Sequence, residues 1–240
     1  MNKIEVFVRH CFKSNHDYER WNSGYSKEQC FNNLIKSIQN NPDVNLTFLL
    51  DDSARDNKKK YFLETQSDYS VICFKGGSEY KAFRYMIDYV SNLNLPDETI
   101  IYFLEDDYLH REGWPKVLRE AYDELDVEFV SLYDHKDKYF HPMYRSLQSQ
   151  IFITTSSHWR DIPSTVNTFS TRAKTLRACL SIILKYGDSG PPETRPYDHY
   201  RFLELQRQGN TLISPIPGWS THLQPGLLSP IINWNDICKL

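Results

Sequence analysis

Short apolar runs separated by amphipathic stretches dominate the first half of the chain. The runs are rich in β-branched and aromatic side chains, a composition typical of buried strands. They lie at residues 4–8, 46–50, 71–74, 99–104 and 129–132. Between them, apolar residues at helical spacing follow helix-opening signals at Ser26–Gln29, Ser78 and Gly113–Pro115. This alternation predicts an α/β fold with a Rossmann-like, mainly parallel sheet flanked by helices and right-handed crossovers.

The second half of the chain has a less regular pattern. It predicts strands at residues 151–154 and 212–214, with helices at residues 171–186 and 196–209 between them. A loop rich in Gly and Pro precedes the second of these helices, and a similar tail follows the last strand. Because the sequence has no internal repeat, low-complexity tract or linker, we expect a single domain over residues 1–240.

Polar residues follow the first four predicted strands. Arg9 comes after the first strand, Asp51-Asp52 after the second, Gly76-Gly77 after the third and Glu105–Asp107 after the fourth. In parallel α/β sheets, ligands bind outside the carboxyl ends of the strands. Four polar groups at the same edge therefore predict a binding site there.

The three adjacent carboxylates Glu105-Asp106-Asp107 end the most apolar strand of the chain. Adjacent anions repel each other, which favours a bound cation, and oxygen-rich clusters suit Mg²⁺ or Mn²⁺. Asp107 is the expected direct ligand. Glu105, two residues back in an extended chain, would point the same way and hold a metal-bound water or the ribose, whereas Asp106 would point to the opposite side. The alternative interpretation is a solvated acidic turn.

Composition narrows the function classes. The 240 residues carry a net charge of −3, which gives no case for a nucleic-acid binder, since such a protein should show a basic face or stripe. Five scattered cysteines without metal-ligand spacing indicate reduced thiols. The sequence has no hydrophobic signal region and no apolar stretch of the roughly 20 residues that a transmembrane helix needs. We therefore expect a cytoplasmic protein without a transmembrane segment, able to work beside a membrane.

Ordered motifs over most of the chain resemble those of GT-A-type glycosyltransferases, with an organisation most similar to the family 2 enzymes. Leu50–Ser53 resembles the family motif Asp-Asp-Gly-Ser, and Glu105–Asp107 stands where the family has Asp-X-Asp. Gly77–Arg84 resembles the segment that places a basic residue near the donor phosphates. Asp198–Gly209 resembles the later acidic helix, and His222 lies where some GT-A enzymes have a further metal or diphosphate ligand.

This resemblance implies a nucleotide-binding set. Asp51 corresponds to the acid that contacts the nucleotide base, with Asp52 beside it. Lys81 and Arg84 lie on adjacent turns of one helix, near enough to bind phosphate or to pair with acids as solvated helix charges. The remaining expected contacts are Arg9, Glu105 and Asp106. Residues 1–110 would form the nucleotide-sugar-binding half and residues 111–240 the acceptor and catalytic half.

The resemblance also implies a catalytic and metal set. An acceptor hydroxyl must lose a proton as it attacks, and Asp198 is the implied general base, with Glu193 in the preceding loop as its substitute. The alternative role of Asp198 is a helix N-cap. The implied metal ligands for Mn²⁺ or Mg²⁺ are Asp107, Glu105 and His222, although a lone His is as readily a packed residue.

Three departures from the family pattern place the chain in a divergent branch. Ser53-Ala54 replaces Gly-Ser, the metal motif begins with Glu105, and Tyr197 stands where the later motif has Glu. These changes bear on the donor and the acceptor more than on the fold. A set of aromatic residues could stack against an acceptor sugar or simply pack in the protein: Tyr133, Tyr139, Phe140, Tyr144 and Trp159.

The function expected from the sequence is that of an inverting, metal-dependent glycosyltransferase. Its donor would be a nucleotide-diphosphate sugar, above all a UDP-sugar, and its acceptor a glycan, a lipid-linked glycan or another hydroxyl compound. One alternative is a nucleotidyltransferase of related α/β fold, which should carry a Gly-rich phosphate loop that Arg9–Phe12 does not offer. The other alternative is a catalytically silent nucleotide- or glycan-binding domain.

Overall fold

A nine-stranded sheet forms the centre of the protein in a computed structural model that describes residues 2–13, 24–55, 61–66, 68–186 and 197–238. The strands of the described residues are β1 Ile4–Cys11, β2 Val44–Asp51, β3 Ser70–Phe74, β4 Ile100–Glu105, β5 Tyr108–His110, β6 Phe129–Val130, β7 Ile151–Ile153, β8 His158–Asp161, β9 Phe169–Arg172, β10 Leu212–Ile216 and β11 Ser220–His222. The large sheet has the order β3-β2-β1-β4-β9-β6-β10-β8-β7, and β5 pairs with β11 in a separate sheet.

Helices cover both faces of the large sheet. Those of the described residues are α1 Lys27–Ile38, α2 Glu79–Ser91, α3 Trp114–Glu124, α4 Asp137–Phe140, α5 Ala173–Lys185, α6 Asp198–Arg207 and α7 Trp234–Cys238. Two short 3₁₀ helices lie at Phe62–Thr65 and Pro142–Tyr144. The predicted helix starts are confirmed in detail, since Ser26 forms a complete capping box with Gln29 and the Ser78 side chain accepts from the Lys81 N–H.

The predicted α/β class is confirmed. Strands β3, β2, β1 and β4 pair in parallel, so their carboxyl ends meet at one edge. Beyond β4 the sheet is mixed, because β9 pairs antiparallel with β4 on one side and with β6 on the other. Strand β10 returns to a parallel pairing with β6.

Alternation along β4 explains why the sheet has a core on both faces. Tyr102 and Leu104 pack into a cluster with α1 and α3, while Ile101 and Phe103 pack into a second cluster with α2, α5 and α6. Successive side chains of a strand point to opposite faces, so a strand that is apolar throughout must be covered on both sides. Burial of each such large side chain stabilises the fold by about 1.5–3 kcal/mol.

Four strands were not anticipated from the sequence pattern: β5, β8, β9 and β11. Strand β9 occupies the start of the predicted helix 171–186, which begins instead at Ala173. Strand β8 forms a hairpin with β7. Strand β5 begins one residue after the acidic triplet, and β11 pairs with it antiparallel, so that His222 lies opposite Tyr108.

The structure also bears on the predicted single domain and on its division at residue 110. Both core clusters combine side chains from before and after residue 110, and the division into two functional halves stays a prediction. In the part of the chain that the structure describes, each helix is too short or too polar to cross a bilayer.

Candidate active site

The carboxyl ends of β1, β2 and β4 meet the N-termini of α2 and α6 at one edge of the sheet. The parallel register places Arg9 opposite Glu105, and Cys11 opposite Asp51. The predicted convergence of polar groups at this edge is therefore present. The structure further assigns each acid of the edge its own partners, which determines what each can do.

Asp51 holds the ends of β2 and β3 together. Its carboxylate accepts four hydrogen bonds, from the backbone N–H and hydroxyl of Ser53 (3.0 and 2.6 Å) and from the backbone N–H groups of Gly76 (3.0 Å) and Gly77 (2.9 Å). Burial alone would raise the pKa of Asp51, but these hydrogen bonds together lower it. A Cβ on Gly76 would lie 2.7 Å from the Asp51 Oδ2, so glycine is what permits this close approach.

Asp52 is the more open acid at the same strand end. Its backbone N–H donates to the Phe74 carbonyl at 2.9 Å, one residue beyond the last pair of β2 and β3, which is Asp51 with Phe74. Its Oδ1 is buried and accepts no hydrogen bond from the described residues. Because Asp51 already accepts four hydrogen bonds, Asp52 is better able to accept a hydrogen bond from a ligand.

The acidic triplet lies at the turn between β4 and β5, and its three side chains go to three different places. Asp106 turns toward α1, where Lys27 Nζ lies 2.8 Å from its Oδ2 and the Cys11 N–H donates to the same oxygen at 2.9 Å. His10 lies 3.6 Å away. Burial would raise the pKa of Asp106, but Lys27 and His10 lower it. These contacts explain why Asp106 points away from its two neighbours, and they tie it to the α1 face of the sheet.

Glu105, whose side chain is 21% exposed, forms a partly buried ion pair with Arg9. The Arg9 Nη2 contacts the Glu105 Oε1, and the Thr168 hydroxyl lies 3.2 Å from the Glu105 Oε2. Burial raises the pKa of Glu105 to about 7, with Arg9 opposing the rise and Asp107 adding to it. Arg9 also donates to the Glu79 carbonyl at 3.0 Å. Glu105 is thus close enough to Asp107 to interact electrostatically, and it is already held by a cation.

Asp107 and His222 form the pair that is best placed to hold a metal. The pairing of β5 with β11 brings His222 Nε2 to 3.1 Å from the Asp107 Oδ2, and the Leu223 N–H donates to the Asp107 carbonyl at 2.8 Å. The Tyr108 ring stacks on the imidazole, with 5.3 Å between ring centroids. The contact between an acid of the triplet and His222, 115 residues later, results from strand pairing rather than from local sequence.

The Asp107–His222 pair fits an octahedral divalent cation. Two neighbouring ligands that are each about 2.1 Å from Mg²⁺ lie about 3.0 Å apart, close to the observed separation of 3.1 Å. Among the described residues, no group of three or more His, Cys, Asp and Glu side chains is arranged around one point. The protein would therefore supply two ligands, and waters and phosphate oxygens the others, as is usual for Mg²⁺.

Asp198 is the first residue of α6. The N-cap position belongs to Tyr197, so the alternative role of Asp198 as a cap does not apply. Burial raises the pKa of Asp198, while Arg201 and the hydrogen bond from the His199 N–H at 2.7 Å oppose the rise. Glu79 adds to the rise. A carboxylate with a raised pKa at the edge of a binding site suits a general base. Glu193 lies outside the described residues.

The predicted phosphate contacts on α2 lie on its outer surface. Lys81 is exposed, and its backbone N–H serves the Ser78 cap. Arg84 lies 3.6 Å from Asp88 on the next turn, an (i, i+4) pair on the helix. Arg84 also lies 3.4 Å from the hydroxyl of the buried Tyr80, so it is half-buried beside its own helix, whereas Lys81 is exposed; the role of both in phosphate binding stays a prediction.

Sequence reasoning missed the buried cation Arg201. Its spacing with Phe202 and Leu205 on the inner side of α6 was a usable signal, because a charged residue among core positions needs an explanation. It also missed Asn167 and Thr168 before β9, for which no signal existed without that strand. Lys138 was missed as well: its Nζ lies 5.1 Å above the Tyr144 ring, and burial lowers its pKa to about 8.

The aromatic set divides into two groups. Tyr133 and Trp159 are buried and pack in the core. Tyr139 and Phe140 are exposed by 49% and 61%, and Tyr144 is partly buried against Lys138. Only this second group can offer a ring to a ligand.

Comparison with known proteins supports the fold but leaves the activity open. No protein-family model and no curated protein sequence matches the chain. The structure of CMP:2-keto-3-deoxy-manno-octonic acid synthetase complexed with CTP is 12% identical, with a TM-score of 0.50 over 91% of this chain and 92% of that chain. The crystal structure of S. aureus TarS 1–349 is 12% identical, with a TM-score of 0.49 over 88% of this chain and 57% of that chain. The chain thus spans little more than half of the TarS structure.

The match to the synthetase structure concerns architecture alone. The protein is a mixed α/β protein with a large, Rossmann-like sheet flanked by helices. At 12% identity the shared fold carries no information about the reaction.

We predict that Asp51→Asn lowers the free energy of unfolding by about 2 kcal/mol at pH 7. The variant loses hydrogen bonds to a charged acceptor, each worth about 1.5–3 kcal/mol, and sets an NH₂ group against N–H donors. Urea denaturation followed by circular dichroism measures the difference. The exposed Asp126→Asn is the control and should change stability by less than about 0.5 kcal/mol.

The same pair of proteins gives a pH test. Because the pKa of Asp51 is lower in the folded protein than in the unfolded chain, its stabilisation is present above the unfolded pKa. The difference between the parent and Asp51→Asn should therefore shrink as the pH falls below about 3.9. A difference that is independent of pH would contradict a role for the Asp51 charge.

We also predict that Lys27→Met destabilises the protein by about 3–5 kcal/mol, because it leaves the Asp106 carboxylate buried without its cation. Adding Asp106→Asn removes that charge and should recover part of the loss. The exposed Lys116→Met serves as control. If the double variant is as unstable as Lys27→Met, packing rather than charge explains the effect.

Proposed function

We propose that the protein is a metal-dependent glycosyltransferase that uses a nucleotide-diphosphate sugar, with a UDP-sugar as the expected donor. The observation that carries this proposal is the contact of Asp107 with His222 at 3.1 Å, at the sheet edge where β4 ends. An acid and an imidazole joined by strand pairing across 115 residues are hard to explain as a solvated acidic turn.

The proposed cation is Mn²⁺ or Mg²⁺, held by Asp107 and His222. When bound, the cation neutralises the negative charge that develops on the leaving diphosphate. Glu105 is held in an ion pair with Arg9 and interacts electrostatically with Asp107 beside this site. Asp106 has a different task, because its contacts with Lys27 and the Cys11 N–H hold the turn on which Asp107 lies.

The proposed nucleotide contacts follow from which acids are still able to accept hydrogen bonds. Asp51 shapes the pocket by joining β2 to the Gly76-Gly77 turn. Asp52, with its buried and unbonded Oδ1, is the better candidate to accept hydrogen bonds from the nucleotide. This assignment shifts the predicted contact by one residue along the motif.

The proposed general base is Asp198. It would take the proton of the acceptor hydroxyl as the hydroxyl oxygen attacks the anomeric carbon of the donor sugar and the bond to the diphosphate breaks. One such displacement inverts the anomeric configuration. The raised pKa of Asp198, caused chiefly by burial, makes its carboxylate a stronger base than a solvated one.

The proposed acceptor is a glycan or a lipid-linked glycan. Four exposed aromatic side chains lie close in sequence to Asp198 or to Lys138. Tyr197 and Tyr200 flank Asp198, and Tyr139 and Phe140 follow Lys138. Aromatic faces of this kind suit the apolar faces of sugar rings. The five cysteines, all among the described residues, form no disulfide, which fits the cytoplasmic location expected from the sequence.

We predict that UDP raises the melting temperature of the protein more with Mn²⁺ than with a chelator. Asp107→Asn should remove most of the metal-dependent part, because it weakens one of the two proposed protein ligands. Differential scanning fluorimetry measures the shift, since a ligand that binds only the folded state raises apparent stability. Asp126→Asn, at an exposed carboxylate, is the matched control. An Asp107→Asn protein that responds like the parent would remove the triplet from the metal site.

We predict that Asp198→Asn lowers the transfer rate by about 10²-fold or more and leaves donor affinity unchanged. The amide keeps the size of the side chain but cannot take the acceptor proton. Initial rates with a UDP-sugar and isothermal calorimetry with UDP separate the two effects. The parent should give a product of inverted anomeric configuration by NMR.

Two results would count against this assignment. Near-normal turnover of Asp198→Asn would move the base to Glu193. A retained anomeric configuration would exclude single displacement.

Release of pyrophosphate from a nucleoside triphosphate, without transfer of a sugar, would instead identify the protein as a nucleotidyltransferase.

A further inference from the structure

Arg201 is a fully buried arginine with an incomplete set of partners. Its Nη1 donates to the Asn167 Oδ1 at 3.0 Å, and its guanidinium lies 4.2 Å from the centre of the Phe83 ring. Its Nε and Nη2 are buried and make no hydrogen bond within the described residues. No carboxylate among those residues lies within 4.0 Å of it, in contrast to the buried Arg9, which pairs with Glu105.

An arrangement of this kind costs stability. Buried charges are normally paired and hydrogen-bonded, because removing an ion from water is expensive. A ring face and one amide oxygen compensate Arg201 only in part. The two buried N–H groups that lack a partner among the described residues suit an anion, because a negative charge would compensate the buried cation as well as accept their hydrogen bonds.

The unpaired atoms have a specific geometry. Nε and Nη2 form one edge of the planar guanidinium, and their two N–H groups point in parallel. This edge binds two oxygens of a phosphate or carboxylate group at once, which a lysine cannot do. Asn167 and Phe83 hold the opposite edge and one face, so the direction of the unbonded edge is fixed.

The location of Arg201 connects it to the proposed site. It lies one helical turn after Asp198, and its electrostatic neighbours are Asp198, Arg9, Glu105 and Glu79. Burial lowers the pKa of Arg201 to about 10, so it remains a cation at neutral pH. Since Glu105 belongs to the turn that carries Asp107, an anion on Arg201 would lie in the region of the Asp107–His222 pair.

We infer that Arg201 is an oxyanion-binding residue whose Nε–Nη2 edge takes two oxygens of the donor diphosphate. This inference rests on the proposed function for the identity of the donor. The shared chemistry is that of a two-oxygen anion, which a carboxylate on a sugar acid could also supply. The principal phosphate contact would then be Arg201, in the interior of the site, rather than Lys81 and Arg84 on α2.

The test compares Arg201→Lys and Arg201→Met with the parent. Arg201→Lys keeps the charge but loses the two-pronged edge, and Arg201→Met removes the charge while filling similar space. Arg207→Lys and Arg207→Met are matched controls, because Arg207 lies on the same helix with an exposed side chain. The probes are UDP with Mn²⁺, inorganic pyrophosphate with chelator, and glucuronate, each measured by calorimetry and by thermal shift.

We expect Arg201→Lys to weaken UDP and pyrophosphate binding by about 10- to 100-fold, the range for charge-assisted hydrogen bonds to one group. Without ligand, Arg201→Met should melt at the same temperature as the parent or higher, since it removes an uncompensated buried charge. A residue that only supports the fold would give the opposite result, a lower melting temperature with unchanged affinity.

The outcomes separate this inference from the proposed function. If the parent binds UDP and both Arg201 variants bind it equally well, the inference fails and the function stands. If the parent binds pyrophosphate in an Arg201-dependent way but not UDP, the anion site stands and the donor assignment fails. If only glucuronate binding depends on Arg201, the anion is a carboxylate and the diphosphate assignment is wrong. A parent that binds none of the three probes overturns the inference.

Discussion

Three adjacent carboxylates at the end of β4 can coexist because each faces a different nitrogen-bearing side chain. Glu105 pairs with Arg9 from β1, Asp106 with Lys27 from α1, and Asp107 lies against His222 from β11. Left in one environment, the three charges would repel one another and raise each other's pKa. The turn instead distributes them among three elements, and those elements are thereby held around the edge where the parallel strands end.

This distribution assigns stability and chemistry to different members of one motif. The Asp106 side chain is buried and its Oδ2 contacts both Lys27 and the Cys11 N–H, so its loss should act on folding. Asp107 lies beside a histidine whose own position depends on a two-stranded sheet and on the Tyr108 ring. Asp51 and Asp52 divide their tasks in the same way, since the first braces a turn and the second keeps a buried oxygen unbonded. Neighbouring acids of similar sequence context thus differ in what a ligand can reach.

The parts of this arrangement that follow local rules could be predicted from the sequence. The continuous apolar run of β4, the Ser26 capping box and the collection of polar groups at the carboxyl ends depend on nearby residues and on the parallel topology. The pairing of β5 with β11, the insertion of β9 beside β4, and the contacts of Arg201 depend on residues far apart in the chain. Alternation over three or four residues is too short a signal for such strands. The four hydrogen bonds of Asp51 likewise arise only when the Gly76-Gly77 turn is in place.

Asp198 illustrates how opposing local effects can set the strength of a base. Its position in the first turn of α6, the His199 N–H and Arg201 all favour the carboxylate, because a helix N-terminus and a nearby cation stabilise negative charge. Burial and Glu79 oppose them and prevail, so the pKa is raised. A proton acceptor works best when its pKa approaches the working pH. Partial burial therefore strengthens Asp198 as a base, while the cationic side of its surroundings keeps it ionised, and a change that hydrates this end of α6 would weaken the base without touching the carboxylate.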